Sequence, residues 1–170
     1  MSDTFNIKHV STTRLSPDTL LITTTRPSGY DYKAGQFCDW TIPHENPDNR
    51  GISRQFSFAS SPTEDTLCFI SKFYNPSSTY KTTMQTMTAG YEMEISSPRG
   101  LFTFPTDPSA PVVFLAGGVG CAPFRGLIRY SLDKKDTRPI TFFYSNPGIS
   151  SVPLKDFFDE AQTKTNLKMV

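Results

Sequence analysis

The chain has 170 residues, with 17 Lys and Arg against 16 Asp and Glu and a net charge of +1. That balance excludes a nucleic-acid binder driven by a basic face, and equally a polyanionic tail. The length suits one domain or two small ones packed together, and 14 Pro, 10 Gly and 14 Phe favour a β-rich, loop-rich globular chain.

Residues 1–10 carry no basic stretch followed by an apolar run, so a secretory signal is not expected. Residues 5–14 and 19–26 read as strands joined by the turn signal Ser16-Pro17-Asp18. Gly35 opens a third strand over 36–42, which ends at Pro43, and residues 44–51 form a polar surface loop. A fourth strand over 54–59 is closed by Ser60-Ser61-Pro62, a fifth spans 67–74 and a sixth 92–96. Six short strands at this spacing predict a small barrel or sandwich. One helix interrupts them, over 80–87, with Ser78 as N-cap and Gly90 as C-terminal stop.

Beyond Pro105 the grammar changes. The apolar run 112–116 is followed by a glycine turn and a helix over 123–132. A second apolar run, 140–144, precedes a helix over 152–161 with Pro153 in its first turn, and 166–170 begins a third run. Strand, helix, strand, helix, strand is the order of a parallel α/β sheet. The Pro- and Asp-containing stretch 106–110 marks a boundary that divides the chain into 1–106 and 107–170. The longest apolar run, 112–116, is too short to span a bilayer. Cys38, Cys68 and Cys121 form no CxxC pair, which argues against a structural zinc and suits a reducing, cytoplasmic setting.

Three segments could carry chemistry. In Arg54-Gln55-Phe56-Ser57-Phe58-Ala59-Ser60, strand alternation puts Arg54, Phe56 and Phe58 on one face and Gln55, Ser57 and Ala59 on the other. An Arg beside an aromatic and hydroxyls can hold a phosphate while the ring packs on a planar ligand, although an ordinary strand with an exposed Arg reads the same. Gly117-Gly118-Val119-Gly120-Cys121-Ala122-Pro123 follows a buried strand and opens a helix. Its amides could bind a pyrophosphate, but the match is to GxG and not GxGxxG, and any tight turn from strand to helix looks similar. Ser77-Ser78-Thr79 offers either a second phosphate site or simple helix capping. There is no HExxH, no Walker A lysine and no GxSxG elbow, and His9 and His44 read as structural or solvated. Two phosphate sites with little acid–base equipment point to chemistry done by a bound cofactor.

Together and in this order, the motifs resemble those of the ferredoxin–NADP reductase-like flavoprotein superfamily. Arg54-Gln55-Phe56-Ser57 is similar to its RxYS flavin motif, flanked by an AGQ-like Ala34-Gly35-Gln36 and an Ala59-Ser60-Ser61-Pro62 turn. Ser78-Thr79-Tyr80-Lys81 resembles its SxxK stretch, and Ser97-Pro98-Arg99-Gly100-Leu101-Phe102 its GPxGxF segment. Gly118-Val119-Gly120-Cys121-Ala122-Pro123 and Tyr144-Ser145-Asn146 are similar to its nicotinamide-nucleotide segments. The resemblance implies a six-stranded antiparallel flavin-binding barrel followed by a partial Rossmann-like parallel sheet. It implies FAD in preference to FMN, and NADH or NADPH as co-substrate. Arg54, Gln55, Phe56, Ser57, Ser60, Ser78 and Thr79 would hold the flavin, with Ser57, the catalytic candidate, near its N5. Gly118, Gly120, Pro123, Tyr144, Ser145 and Asn146 would hold the nicotinamide nucleotide. Hydride would pass from the nicotinamide to the flavin, and electrons would then leave singly to a carrier protein or small acceptor. The alternatives are a flavin-binding electron-transfer or regulatory module without its own NAD(P)H turnover, and an interaction barrel with no cofactor.

Two departures matter. Pro147 stands where relatives carry an Arg that helps read a 2′-phosphate, so the choice between NADH and NADPH stays open. The family's pattern also continues beyond residue 170, so the chain reads as a fragment ending inside a third Rossmann strand. On that reading, the strand over 112–115 lacks a partner on one side. The second half is then expected to be the less stable, or to dimerise through its open edge.

Overall fold

Alternation of apolar and polar residues builds an antiparallel sheet from β1 (Thr4–Ser16), β2 (Thr19–Thr25), β3 (Phe37–Thr41), β4 (Ser53–Ser57), β5 (Thr66–Lys72) and β6 (Glu92–Ser96). The structure is a computed structural model that describes residues 3–170; the first two residues of the 1–10 stretch lie outside the described residues. The strand order is β4-β3-β6-β1-β2-β5. β1 serves two partners, β6 through Thr4 to Lys8 and β2 from His9 onward, with a register shift between His9 and Ser11 where it changes partner. A shift of this kind bends a strand and lets the sheet curl into a barrel. β4 and β5 end up as the two edges, and among the described residues they do not pair. The barrel is therefore open along one seam.

Aromatic side chains fill it. Trp40, Tyr30, Phe58 and Phe69 are buried together with Tyr80 and Met84 of α1 (Thr79–Thr86). The polar tips are satisfied: the Tyr80 hydroxyl donates to Trp40 O at 3.0 Å and the Tyr30 hydroxyl to Ser96 O at 2.7 Å. α1 lies within one residue of the 80–87 expected from the sequence, with the Ser78 hydroxyl accepting from Lys81 N and Met87 as its C-cap. Gly90, at φ +90°, shapes the turn into β6.

The second unit is a parallel sheet, β7 (Val112–Gly117), β8 (Ile140–Ser145) and β9 (Leu167–Met169), in that order. A 3-10 turn, Gly118–Cys121, leads from β7 into α2 (Ala122–Lys134). α3 (Lys155–Lys164) starts three residues later than the sequence reading. Pro153 lies ahead of it, and Leu154, at φ +60°, turns the chain into the helix. Phe114, Ile140 and Phe142 pack against Phe124, Leu127 and Ile128 of α2 and Phe158 of α3. On the other face of the sheet Val113 and Leu115 are 64% and 71% exposed.

The two units meet along β5. Leu67 and Phe69 point into the barrel, while Cys68 and Ile70 join the core of the second unit. Both faces of β5 are buried. At Gly126 of α2 a Cβ would lie 2.8 Å from Ser60 O and 3.1 Å from Phe58 O, so only glycine lets the helix approach this closely. Arg125 beside it makes a two-pronged pair with Glu64 (2.5 and 2.9 Å) and donates to Ala59 O at 2.9 Å. Gly35, at φ +91°, passes so near Phe102 that a Cβ would sit 2.0 Å from Phe102 O, so only glycine fits there.

Candidate functional site: a cleft between barrel and nucleotide sheet

As an edge strand, β4 hydrogen-bonds β3 on one side only, leaving its other side open. Its alternation directs Phe56 inward, where the ring lies 4.6 Å from Phe69 and stacks at 6.3 Å on Tyr80. Arg54, on the same face, sits with its guanidinium 5.0 Å above the Tyr80 ring. Tyr80 belongs to the first turn of α1, so the fold brings Arg54 to the helix end that Ser78 and Thr79 open. Arg54 Nη1 lies within hydrogen-bond reach of Arg50 O and Ser53 O, both at 2.7 Å, and Nη2 is 3.5 Å from Asp48 Oδ1.

Two side chains that no motif contains complete this corner. Asp48 Oδ2 accepts from Thr79 N at 3.3 Å, and Asp48 N donates to Thr79 Oγ1 at 3.0 Å. His44 Nδ1 is 2.8 Å from Ile42 O and Nε2 3.1 Å from Thr79 Oγ1. A carbonyl can only accept, so Nδ1 carries the proton. In the neutral ring the Thr79 hydroxyl then donates to Nε2, keeping its lone pairs for Asp48 N. The Arg50 amide, the Thr79 amide and the charges of Arg50 and Arg54 hold the Asp48 carboxyl below its usual range.

On the other face of β4, Gln55 and Ser57 border a cleft of about 390 Å³. Phe56, Ser71 and Lys72 of β5 and Lys81 of α1 contribute to the same cleft, and Gly120 and Pro123 close it from the second unit. The structure thus joins Gln55, Phe56 and Ser57 to Gly120 and Pro123 across the boundary, and sets Arg54, Ser78 and Thr79 at the neighbouring helix end. Burial and the charges of Arg50 and Arg54 lower the Lys81 pKa, and its ammonium donates to Lys72 O. Ser71 is 2% exposed, and its hydroxyl finds no hydrogen-bond partner among the described residues. A buried hydroxyl left unpaired beside a cleft suits a polar ligand. Ser60 lies elsewhere: its hydroxyl accepts from Tyr32 at 2.9 Å and from Cys68 N at 3.0 Å, tying barrel segments together.

The glycine turn is braced from β8. The Tyr144 hydroxyl lies 3.0 Å from Gly118 O and 3.2 Å from Pro153 O, linking the turn to the approach to α3. Gly118 takes φ +50°, a conformation that favours glycine. Burial pushes the Cys121 thiol up to about 11. Ser145 pairs with Gly117 across the sheet, and Asn146 follows, both its amide atoms buried and unpartnered among the described residues. These groups lie at the carboxyl ends of parallel strands, where α/β sheets bind nucleotides. Among the described residues no three His, Cys, Asp or Glu gather into a metal site, and no helix is long and apolar enough to cross a membrane.

Known proteins resemble this arrangement. A family model, the oxidoreductase NAD-binding domain, matches residues 114–170. The reductase component of propane 2-monooxygenase from Rhodococcus jostii is 31% identical over 141 residues, which cover 78% of this chain and 36% of that protein. Reductase component 1 of terephthalate 1,2-dioxygenase from Comamonas is 27% identical over 158 residues, 92% of this chain and 45% of that one. The chain therefore spans less than half the length of these relatives. Among solved structures, ferredoxin–NADP+ reductase from Plasmodium falciparum superposes with a TM-score of 0.84 at 18% identity, covering 98% of this chain and 70% of that one. A cytochrome P450 reductase from Amycolatopsis gives a TM-score of 0.83 at 21% identity, covering 100% and 52%.

Proposed function

Because the chain belongs to the ferredoxin–NADP reductase-like superfamily, with an oxidoreductase NAD-binding domain in its last third, we propose that it is a flavin-dependent NAD(P)H oxidoreductase. Residues 1–106 act as the flavin domain and 107–170 as the nucleotide domain. One observation carries the reading: Gln55, Phe56 and Ser57 share a cleft with Gly120 and Pro123. A bound flavin, FAD in this reading, supplies two-electron uptake from a dihydronicotinamide and one-electron delivery to an acceptor.

The chain's own part is binding and orientation. Arg54 and the amides that open α1 hold flavin phosphate. Phe56, fixed by Phe69 and Tyr80, gives the ring system a rigid neighbour, and Ser57 presents a hydroxyl from β4. Gly118, Gly120 and Pro123 shape the nucleotide turn, Tyr144 braces it, and Ser145 and Asn146 border it at the end of β8. The cleft lining contains no carboxylate and no imidazole, so rate comes from holding two rings in register and not from a side-chain base. Pro147 and Gly148 beside Asn146 offer nothing charged to read a 2′-position, which leaves NADH and NADPH to experiment. The relatives are named as reductase components of oxygenases, which supports a protein acceptor of that kind. Three buried free thiols suit the cytoplasm. The exposed apolar face of the second sheet supports self-association of this chain.

Visible absorption of the purified chain, followed by anaerobic addition of NADH or NADPH, tests the reading. Stoichiometric flavin bleached by one of the nucleotides is expected. Flavin that neither nucleotide bleaches would leave a binding module. A colourless chain that takes up neither FAD nor FMN would overturn the proposal.

A further inference from the structure

The corner assigned to flavin phosphate already holds an anion of the chain's own. Asp48 sets one carboxylate oxygen 3.3 Å from Thr79 N and the other 3.5 Å from Arg54 Nη2, the donors expected to meet a phosphate. Its position is fixed. Arg50 N donates to Oδ1 at 3.0 Å, Asp48 N donates to Thr79 Oγ1, and His44 holds that hydroxyl from the other side. To leave, the carboxylate must loosen the 43–51 loop from α1. An incoming phosphate therefore shares Arg54 with a standing negative charge.

That charge does not act equally on all flavins. The phosphomonoester of FMN carries between one and a half and two negative charges at neutral pH, whereas each phosphate of the FAD pyrophosphate carries about one. Coulomb repulsion grows with charge and falls with distance, so FMN, with its charge on one phosphate beside Asp48, is repelled more than FAD, whose similar total is spread over two phosphates. Resting on the flavin reading above, we propose that Asp48 is a selectivity residue that disfavours phosphomonoester flavin at the Arg54–Thr79 corner, so that the chain takes FAD over FMN.

Asp48→Asn removes the charge and keeps one oxygen, enough to accept from Arg50 N or from Thr79 N but not from both. Dissociation constants of FAD, FMN and riboflavin would be measured by fluorescence on both proteins at low salt. FMN binding is expected to tighten about tenfold, FAD about threefold or less, with riboflavin unchanged; 0.5 M salt should shrink the differences. Asp48→Ser, which also removes the charge, serves if the Asn variant melts early. An unaltered FAD-to-FMN ratio, or an equal change for all three ligands, overturns the selectivity role and leaves the flavin reading standing. If none of the three flavins binds either protein, the flavin reading itself falls, and the proposal with it.

Discussion

Arg54 directs its donors at the carbonyls of its own loop, so phosphate must compete for it with Arg50 O, Ser53 O and Asp48. The net gain remains that of a charge-assisted contact, and Arg54→Ala should weaken FAD binding by roughly 10- to 100-fold. Lys should restore only part of this, since its single ammonium cannot fork or lie flat over Tyr80. Fluorescence titration measures both, and an unchanged affinity would remove Arg54 from the site. The thiols make a second residue-scale prediction. Burial raises Cys38 and Cys68 to about 12 and Cys121 to about 11. A raised pKa keeps all three protonated at pH 8, so iodoacetamide should label none of them in the native chain and all of them in urea, as read by mass spectrometry. At this scale the motif residues were legible because each motif is a local string. His44 and Asp48 were not, because they come from a patternless loop and act on Thr79, which lies 35 and 31 residues away. The role of Ser60 depends on Tyr32, 28 residues distant, and no local string announces it.

Elements were legible wherever side-chain period decides them. The strand over 92–96 follows from alternation of polar and apolar residues, and the start of β7 at Val112 from an apolar run. Helix ends were less legible, because local backbone conformation sets them. Leu154 in the left-handed region delays α3 past Pro153. β5 was legible as a strand, but the burial of its second face was not, because that depends on α2 arriving from another unit. Gly126 tests that arrival. Alanine in a helix interior normally gains about 1 kcal/mol over glycine. Here its Cβ would press on Ser60 O and Phe58 O, and overpacking costs roughly 1–3 kcal/mol. Gly126→Ala should therefore destabilise the chain in urea, and a stabilised variant would show that the helix can back away freely.

For the whole molecule, the change of period near residue 106 announced a barrel followed by an α/β sheet, and the structure has both. The open seam between β4 and β5 was not legible, because it depends on which strands become edges. The exposed face of the second sheet carries Val113, Leu115 and Phe143. It should draw copies of this chain together, so sedimentation velocity should show a species heavier than monomer as concentration rises, and Leu115→Lys should return it to monomer. A monomer at every concentration would contradict this.

β5 is exterior wall to one core and interior to the other, and that imposes an order on synthesis. When the first hundred residues have left the ribosome, Cys68 and Ile70 still face water, because Phe124, Leu127 and Ile128 of α2 come later in the chain. The barrel thus waits in a sticky state for its cover, over a time set by how quickly the next few dozen residues are made. Slowing translation while α2 is still inside the exit tunnel should lower the yield of soluble chain, while slowing it once α2 has emerged should leave the yield unchanged.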